Sequence, residues 1–326
     1  MDVRLQPRGR ALSEPSVSQQ RGRWPVAAAA GLIVAVWISL TLSSSAPASS
    51  ADEEVPDVPL PADVPGFRAD AWFLPAEDLL GFVEIPGGPF TMGSDRAVDP
   101  LAFDIERWSP TSAQGTVDVP TFYIGRYEVT VAQYGAFVRA TGHRVPDGGA
   151  LEKGPGFPVT GVSWTDALAY TRWLHETLAS SSSTPEPLAR LLREGWKATL
   201  PTEAEWEKAA RGTDGRIYPW GNEPRAERAS YEGPGPTRVG AFACPECPYG
   251  LADMSGNVWE WTRSPYQPYP YDATDDATGL DADALWVIRG GSYSDGPQNV
   301  RAAVRGGADP GARRPFIGFR VALSRS

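Results

Sequence analysis

The sequence predicts an α+β domain with few regular strands and long ordered loops. Three observations point that way. Strand signals are short and scattered, at Val83–Ile85, Phe122–Ile124, Val287–Arg289 and Gly318–Ala322. Helical patterns occupy only the stretches near 130–140, 165–178 and 202–211. Beyond the last of these, Gly, Pro, Asp and Asn recur every few residues, which marks turns. With 326 residues, 41% of them hydrophobic, the chain can build one large core.

Each helix has its own start signal. Thr130 is placed to cap the segment that runs to Ala140. The stretch Thr165–Leu178 sets Ala167, Tyr170, Thr171 and Leu174 on one face, the stripe of a half-buried helix. Ser180–Thr184 is a low-complexity loop. In the third helix Thr202 caps, and Glu203 and Glu205 lie near the positive end of the helix dipole. The 12 tryptophans are expected to pin long loops onto a small regular core, since an aromatic buries much area at low entropy cost.

The first 66 residues read differently. Residues 1–23 carry five arginines against Asp2 and Glu14, a net charge of +3. Trp24–Leu42 is uncharged and mostly apolar, and as a helix it would rise about 28 Å, close to the hydrocarbon thickness of a bilayer. No Lys or Arg follows until Arg68. The expectation is a cytoplasmic basic segment (1–23), a transmembrane signal-anchor (24–42), a flexible tether (43–66) and a domain (67–326) outside the cytoplasm. Cleavage near Ala46-Pro-Ala48, which would release the domain, is the alternative. The whole chain carries −10, so the part beyond the apolar segment carries −13. That charge excludes nucleic acid as a partner, because its phosphates demand a cationic surface.

Several motifs occur in a fixed order. They are Phe82-Val-Glu-Ile-Pro-Gly-Gly-Pro-Phe-Thr-Met-Gly93, Phe122-Tyr-Ile-Gly-Arg-Tyr-Glu-Val-Thr130, Pro158-Val-Thr-Gly-Val-Ser-Trp164 and Leu200-Pro-Thr-Glu-Ala-Glu-Trp206. Tyr249-Gly-Leu-Ala-Asp-Met-Ser-Gly-Asn-Val-Trp-Glu-Trp261, Arg289-Gly-Gly-Ser-Tyr293 and Gly318-Phe-Arg320 complete the series. Over about 82–324 the chain resembles the formylglycine-generating enzyme, or sulfatase-modifying factor, superfamily. The resemblance implies that family's fold, a C-type-lectin-like elaboration whose opening segment is a strand pair.

The family's known reaction oxidises a substrate cysteine with molecular oxygen, using two copper-binding cysteines after the Gly-Gly-Ser-Tyr motif. Their positions here are Asp295 and Val300. Valine binds no metal, and aspartate offers only hard oxygen, unsuited to Cu(I). Neither copper nor iron is expected, since the two histidines, His143 and His175, lie in no ligand-spaced pattern. The two cysteines that exist, Cys244 and Cys247, are read as a short-loop disulfide, with a redox pair or free thiols as alternatives.

The resemblance also implies calcium at Asp253, Gly256, Val258 and Glu260. Two carboxylates bracketing a Ser-Gly-Asn turn would supply hard oxygens for that ion. A groove is expected at Asp295, Ser292, Trp259 and Arg301, with Asp295 as the general acid or base if the groove is catalytic. Arg301 and Arg305 are alternatively expected to pair with Glu205 or Glu207. Arg313 and Arg314, on a loop at the rim, would favour an anionic partner. Two function classes follow. One is a membrane-tethered, extracytoplasmic binding or accessory domain without formylglycine-generating activity, which takes an exported protein, a peptide or a small anionic ligand. The other is an exported enzyme of different chemistry using the same groove. Some relatives lacking the cysteines perform other reactions, including tautomerisation in siderophore maturation. Formylglycine generation is the least favoured reading.

Overall fold

The computed structural model describes residues 58–276 and 284–325. Twelve short strands and four α-helices form among them. The first half contains β1 (Phe67–Arg68), β2 (Leu74–Pro75), β3 (Phe82–Ile85), β4 (Gly88–Met92), β5 (Gly115–Val119), β6 (Phe122–Gly125), α1 (Val131–Thr141) and α2 (Trp164–Ser180). The second contains α3 (Glu186–Arg193), β7 (Lys197–Thr199), α4 (Glu203–Arg211), β8 (Trp259–Pro265), β9 (Trp286–Arg289), β10 (Arg305–Ala308), β11 (Ile317–Phe319) and β12 (Ala322–Ser324).

The strands pair more regularly than the sequence led us to expect. They build two four-stranded sheets, ordered β3-β6-β12-β7 and β10-β9-β8-β11, and the two-stranded pairs β1-β2 and β4-β5. The strand expected over Gly318–Ala322 is two strands. β11 lies parallel to β8, and two residues later β12 enters the other sheet between β6 and β7. The opening segment is also not a hairpin. β3 pairs with β6 and β4 with β5, because the chain turns between them at Pro86-Gly87.

Three helices start where local chemistry predicts. Thr130, Ser163 and Thr202 each accept from the backbone N–H three residues on, and Gln133, Asp166 and Glu205 return the bond to the capping residue's N–H. On α4, Glu203, Glu207 and Arg211 share one face. Glu207 binds both Arg211 and Arg289, and Glu203 holds Arg305 through bonds of 2.7 Å at both carboxylate oxygens. These pairs fasten α4 to β9 and β10. The aromatic core forms alongside, with Trp164 stacked on Trp286 at 3.8 Å and Trp206 and Trp261 fully buried.

Arg320 occupies the two-residue link between β11 and β12. Its Nε and Nη2 each donate to Glu260 on β8 at 2.6 Å. Its remaining donors reach the carbonyls of Gly125 and Ala252 at 3.1 Å and of Arg126 at 3.3 Å. One guanidinium thus bonds a strand of one sheet and the end of a strand of the other.

Among the described residues, no helix is long and apolar enough to cross a membrane. The longest, α2, has 17 residues and carries Asp166, Arg172, His175 and Glu176, whereas a span needs about 20 apolar ones. The membrane-tethered, single-pass arrangement is corrected accordingly, and the membrane is not retained as a partner. The segment 24–42 assigned to it lies outside the described residues, as do 1–23 and the first part of 43–66.

Replacing Glu260 by Gln should leave the Arg320 guanidinium buried without its counter-charge. Equilibrium urea unfolding should show a loss of about 3–5 kcal/mol. Glu77→Gln, which breaks a solvent-exposed pair with Arg126, should cost at most about 1 kcal/mol. Equal effects of the two substitutions would refute the special role of Arg320.

Candidate functional site

β9 delivers the chain into a loop that only glycine can start. Gly290 and Gly291 have φ of 99° and 75°. A Cβ on Gly291 would lie 2.4 Å from the Asn299 carbonyl oxygen, so the loop's two ends touch there. The loop presents Ser292, buried, and Asp295, half-buried. Asp295 Oδ2 accepts three hydrogen bonds: from Trp259 Nε1 at 2.9 Å, from the Ser292 backbone N–H at 2.9 Å and from Ser292 Oγ at 2.7 Å. Oδ1 receives only Asn299 Nδ2, at 3.3 Å.

Three of the four groove residues named from the sequence therefore meet. The fourth does not. Arg301 is fully buried and turned away, with Nη1 donating to Asp99 at 2.6 Å and to Glu106 at 2.8 Å, and Nη2 to Glu106 at 2.6 Å. The pairings of Arg301 and Arg305 with Glu205 or Glu207 are corrected to Asp99 and Glu106 for the first and to Glu203 for the second. Arg313, expected at the rim, is engaged with Asp166 on α2, which His143 Nε2 also approaches at 3.0 Å.

Val300 is 0% exposed and packs with Tyr218, Trp220 and Ala229. Cys244 and Cys247 are joined in a disulfide that packs on the same cluster. They are the chain's two cysteines, so no thiol stands beside Asp295 or Val300.

The calcium expectation is corrected. Among the described residues there is no group of three or more His, Cys, Asp or Glu side chains able to hold a metal. The expected turn exists, with positive φ at Asp253, Gly256 and Asn257, but Glu260 and one oxygen of Asp253 are engaged by other partners, and Asp253 Oδ1 alone is left without a hydrogen bond. Both Glu260 oxygens are taken by Arg320, and Oε2 also accepts from Trp206 Nε1 at 2.8 Å. Asp253 Oδ2 accepts from Gly240 N–H at 2.6 Å. A Cβ on Gly256 would lie 2.1 Å from the Ser230 carbonyl oxygen, so this glycine serves a backbone crossing, and nothing supports the metal set of Asp253, Gly256, Val258 and Glu260.

Sequence reasoning missed Glu128. It lies under this turn, accepting from Asn257 Nδ2 at 2.6 Å and from the Val258 N–H at 3.3 Å. Burial, then the carboxylates of Asp253 and Glu260, push its carboxyl well above the usual range. Burial likewise raises Asp253 to about 6, against the Gly240 N–H and Arg320.

A second concave feature was also missed. A cavity of about 630 Å³ lies between β5, the start of α4 and the chain end, lined by Thr202, Glu205, Arg263, Tyr271, Asp276 and Arg325 among others. Its members come from segments far apart in sequence, so no local pattern announced it. Asp276 accepts from the hydroxyls of Ser264 and Tyr271, and burial raises its carboxyl to about 6.

The fold is an α+β scaffold that carries a Gly-Gly-Ser-Tyr loop beside a Gly-Asn-Val-Trp-Glu-Trp strand. Residues 73–325 match the family described as "Sulfatase-modifying factor enzyme 1-like domain", and the chain belongs to that family. It is 32% identical over 310 residues to the hercynine oxygenase of Mycolicibacterium smegmatis, covering 81% of this chain and 64% of that protein's length. It is 30% identical over 320 residues to the formylglycine-generating enzyme of Thermomonospora curvata, covering 76% of this chain and 95% of that protein. The structure of PvdO from Pseudomonas aeruginosa is similar with a TM-score of 0.59 at 26% identity, covering 74% of this chain and 94% of that one.

The raised value of Asp276 gives a signed pH dependence. A carboxyl near 6 in the folded chain and near 4 in the unfolded chain keeps its proton longer when folded. Wild-type stability from this group is therefore full below about pH 4 and lost as pH rises through 6. Between pH 4 and pH 7 the stability difference between Asp276→Asn and wild type should move in favour of the variant by about 1–3 kcal/mol. Urea unfolding at several pH values measures it, and a difference independent of pH would refute the assignment.

Proposed function

We propose that this chain is a sulfatase-modifying-factor-like domain that acts by binding, as an accessory protein, and does not generate formylglycine. The observation that carries the reading is the state of the two positions where the resemblance puts catalytic cysteines. Asp295 spends Oδ2 on three donors, and Val300 is buried in an aromatic cluster. A carboxylate oxygen that holds three donors fixes the groups that carry them, here the Trp259 indole and the Ser292 backbone and hydroxyl. A valine supplies no reactive group at all.

The reading assigns Asp295 to shaping a surface rather than to chemistry. It locks Ser292 and Trp259 in place and leaves the half-buried faces of Trp259 and Tyr293, with exposed Ser294 and Gln298, toward a partner. An amphipathic indole fixed by its own N–H is a typical anchor for a peptide segment. We also read the long connection between α4 and β8 as the C-type-lectin-like elaboration, with ordered loops rather than strands as the contact surface. The catalytic alternative keeps one feature in its favour, the Asp295 Oδ1 with its single long hydrogen bond.

Peptides selected from a random library for binding to the purified chain should lose about ten-fold in affinity on Trp259→Ala. They should also be recovered chemically unchanged. A cysteine peptide incubated with the chain, Cu(I) and oxygen should likewise keep its mass. Copper-dependent conversion of that peptide would overturn the reading, as would turnover of a selected ligand that Asp295→Asn abolishes in a folded chain. Asp295→Ala, which strands the Trp259 and Ser292 donors, should lower unfolding free energy by about 1–3 kcal/mol.

A further inference from the structure

We propose that the Cys244–Cys247 pair is a thiol–disulfide exchange centre whose substrate is a peptide carrying two thiols. The inference does not depend on what the Asp295 loop binds. It begins with what this disulfide cannot do. Its half-cystines are three positions apart in sequence. Closing so short a loop removes little freedom from the unfolded chain, and the stabilisation it gives is at the low end for a disulfide. A staple for the domain would join distant segments.

The turn is held by bonds that do not involve sulfur. The Cys247 N–H donates to the Cys244 carbonyl at 3.1 Å. Arg228 donates to the Ala243 carbonyl at 2.9 Å and to the Glu246 carboxylate at 2.6 Å. Arg216 donates to the Glu246 carbonyl at 2.7 Å. Reduction breaks none of these, so dithiol and disulfide share one backbone and the sulfurs stay within reach of each other. Both cysteines are half-buried, which leaves the bond open to an incoming thiolate from the solvent side. Their inner side rests on the cluster that contains Val300.

Charges of both signs face the pair, three arginines against two carboxylates. Arg216, Arg225 and Arg228 converge on the segment, against Glu246 and Asp214. Asp214 is consumed by Arg216. The Glu246 carboxylate lies 4.0 Å from Cys244 Sγ, where it can accept from the Cys244 thiol once that forms.

The step balances without any group the chain lacks. A substrate thiolate attacks one sulfur of the pair. The Cys244–Cys247 bond breaks, a mixed disulfide forms, and the other cysteine leaves as a thiolate that takes a proton from solvent. The second substrate thiolate then attacks the mixed disulfide. The substrate ends as a disulfide, short of two electrons and two protons, and the pair ends as two thiols. Oxidised glutathione, or another low-molecular-weight disulfide, reverses the change by the same route.

The test uses the full chain, oxygen-free and with a metal chelator present. A reduced dithiol peptide is added, and the cysteine state is read by alkylation and mass at timed intervals. Expected are one peptide disulfide per chain and a rate at least about ten-fold above that of the same concentration of oxidised glutathione. A monothiol such as glutathione should stop at the mixed disulfide more often than the dithiol does. Arg228→Gln, which removes bonds that hold the turn, should slow exchange about three-fold or more, and Cys247→Ser should abolish peptide oxidation. The wild-type rates decide the matter even if a variant fails to fold. The proposal is overturned if the bond is reduced only when the chain unfolds, or if exchange is no faster than with oxidised glutathione.

Discussion

The two large sheets are joined through one guanidinium. The chain crosses from β11 to β12 in two residues, and Arg320, the first of them, meets Glu260 on one side and three backbone carbonyls on the other. Neither partner is exposed. A buried ion pair is costly to desolvate, and it persists only where geometry is good and the remaining donors are satisfied. Here the five bonds of the guanidinium lie between 2.6 and 3.3 Å. That commitment decides the nearby chemistry too. Both Glu260 oxygens are bound by Arg320, and the loop from Asp253 to Glu260 is tied into the packing between the sheets.

The other buried arginines repeat the pattern at lower connectivity. Arg289 and Arg305 bind α4 through Glu207 and Glu203, and Arg301 binds the segment holding Asp99 and Glu106. Each joins segments far apart in the chain. The charged residues of the motif region thus work as the skeleton of a domain whose strands are only two to seven residues long. Short strands supply few ladder bonds each, so the links between sheets and helices need other sources of order.

What the sequence made legible follows from range. The caps at Thr130 and Thr202 are local patterns and stand where they were read, while the Ser163 capping box, which starts α2 at Trp164, was passed over for a start at Thr165. The meeting of Asp295, Ser292 and Trp259 was legible because two ordered motifs adjoin in the fold. Helix α3 was not foreseen, since it opens with Pro185 and Pro187 after a run of serines. The partners of Arg301 were not foreseen either, because Asp99 and Glu106 lie 202 and 195 positions away. Glu128 gave no local signal for the same reason. Its raised carboxyl depends on Asp253 and Glu260, which only the fold brings near.

The surroundings of positions 295 and 300, where the resemblance would put two cysteines, are fitted to the side chains present. A thiol at 295 in place of the carboxylate would leave the Trp259 N–H, the Ser292 N–H and the Ser292 hydroxyl without the acceptor they share, and each unpaired buried donor is costly. A thiol at 300 would sit fully enclosed among Tyr218, Trp220 and Ala229, where apolar surroundings raise a thiol's pKa and blunt its reactivity. The surrounding donors and packing are fitted to an acceptor at one position and to a hydrocarbon at the other. Placing two sulfur atoms at these positions would therefore not by itself build a copper-thiolate site, because the neighbourhood of the two residues matters as much as the residues themselves.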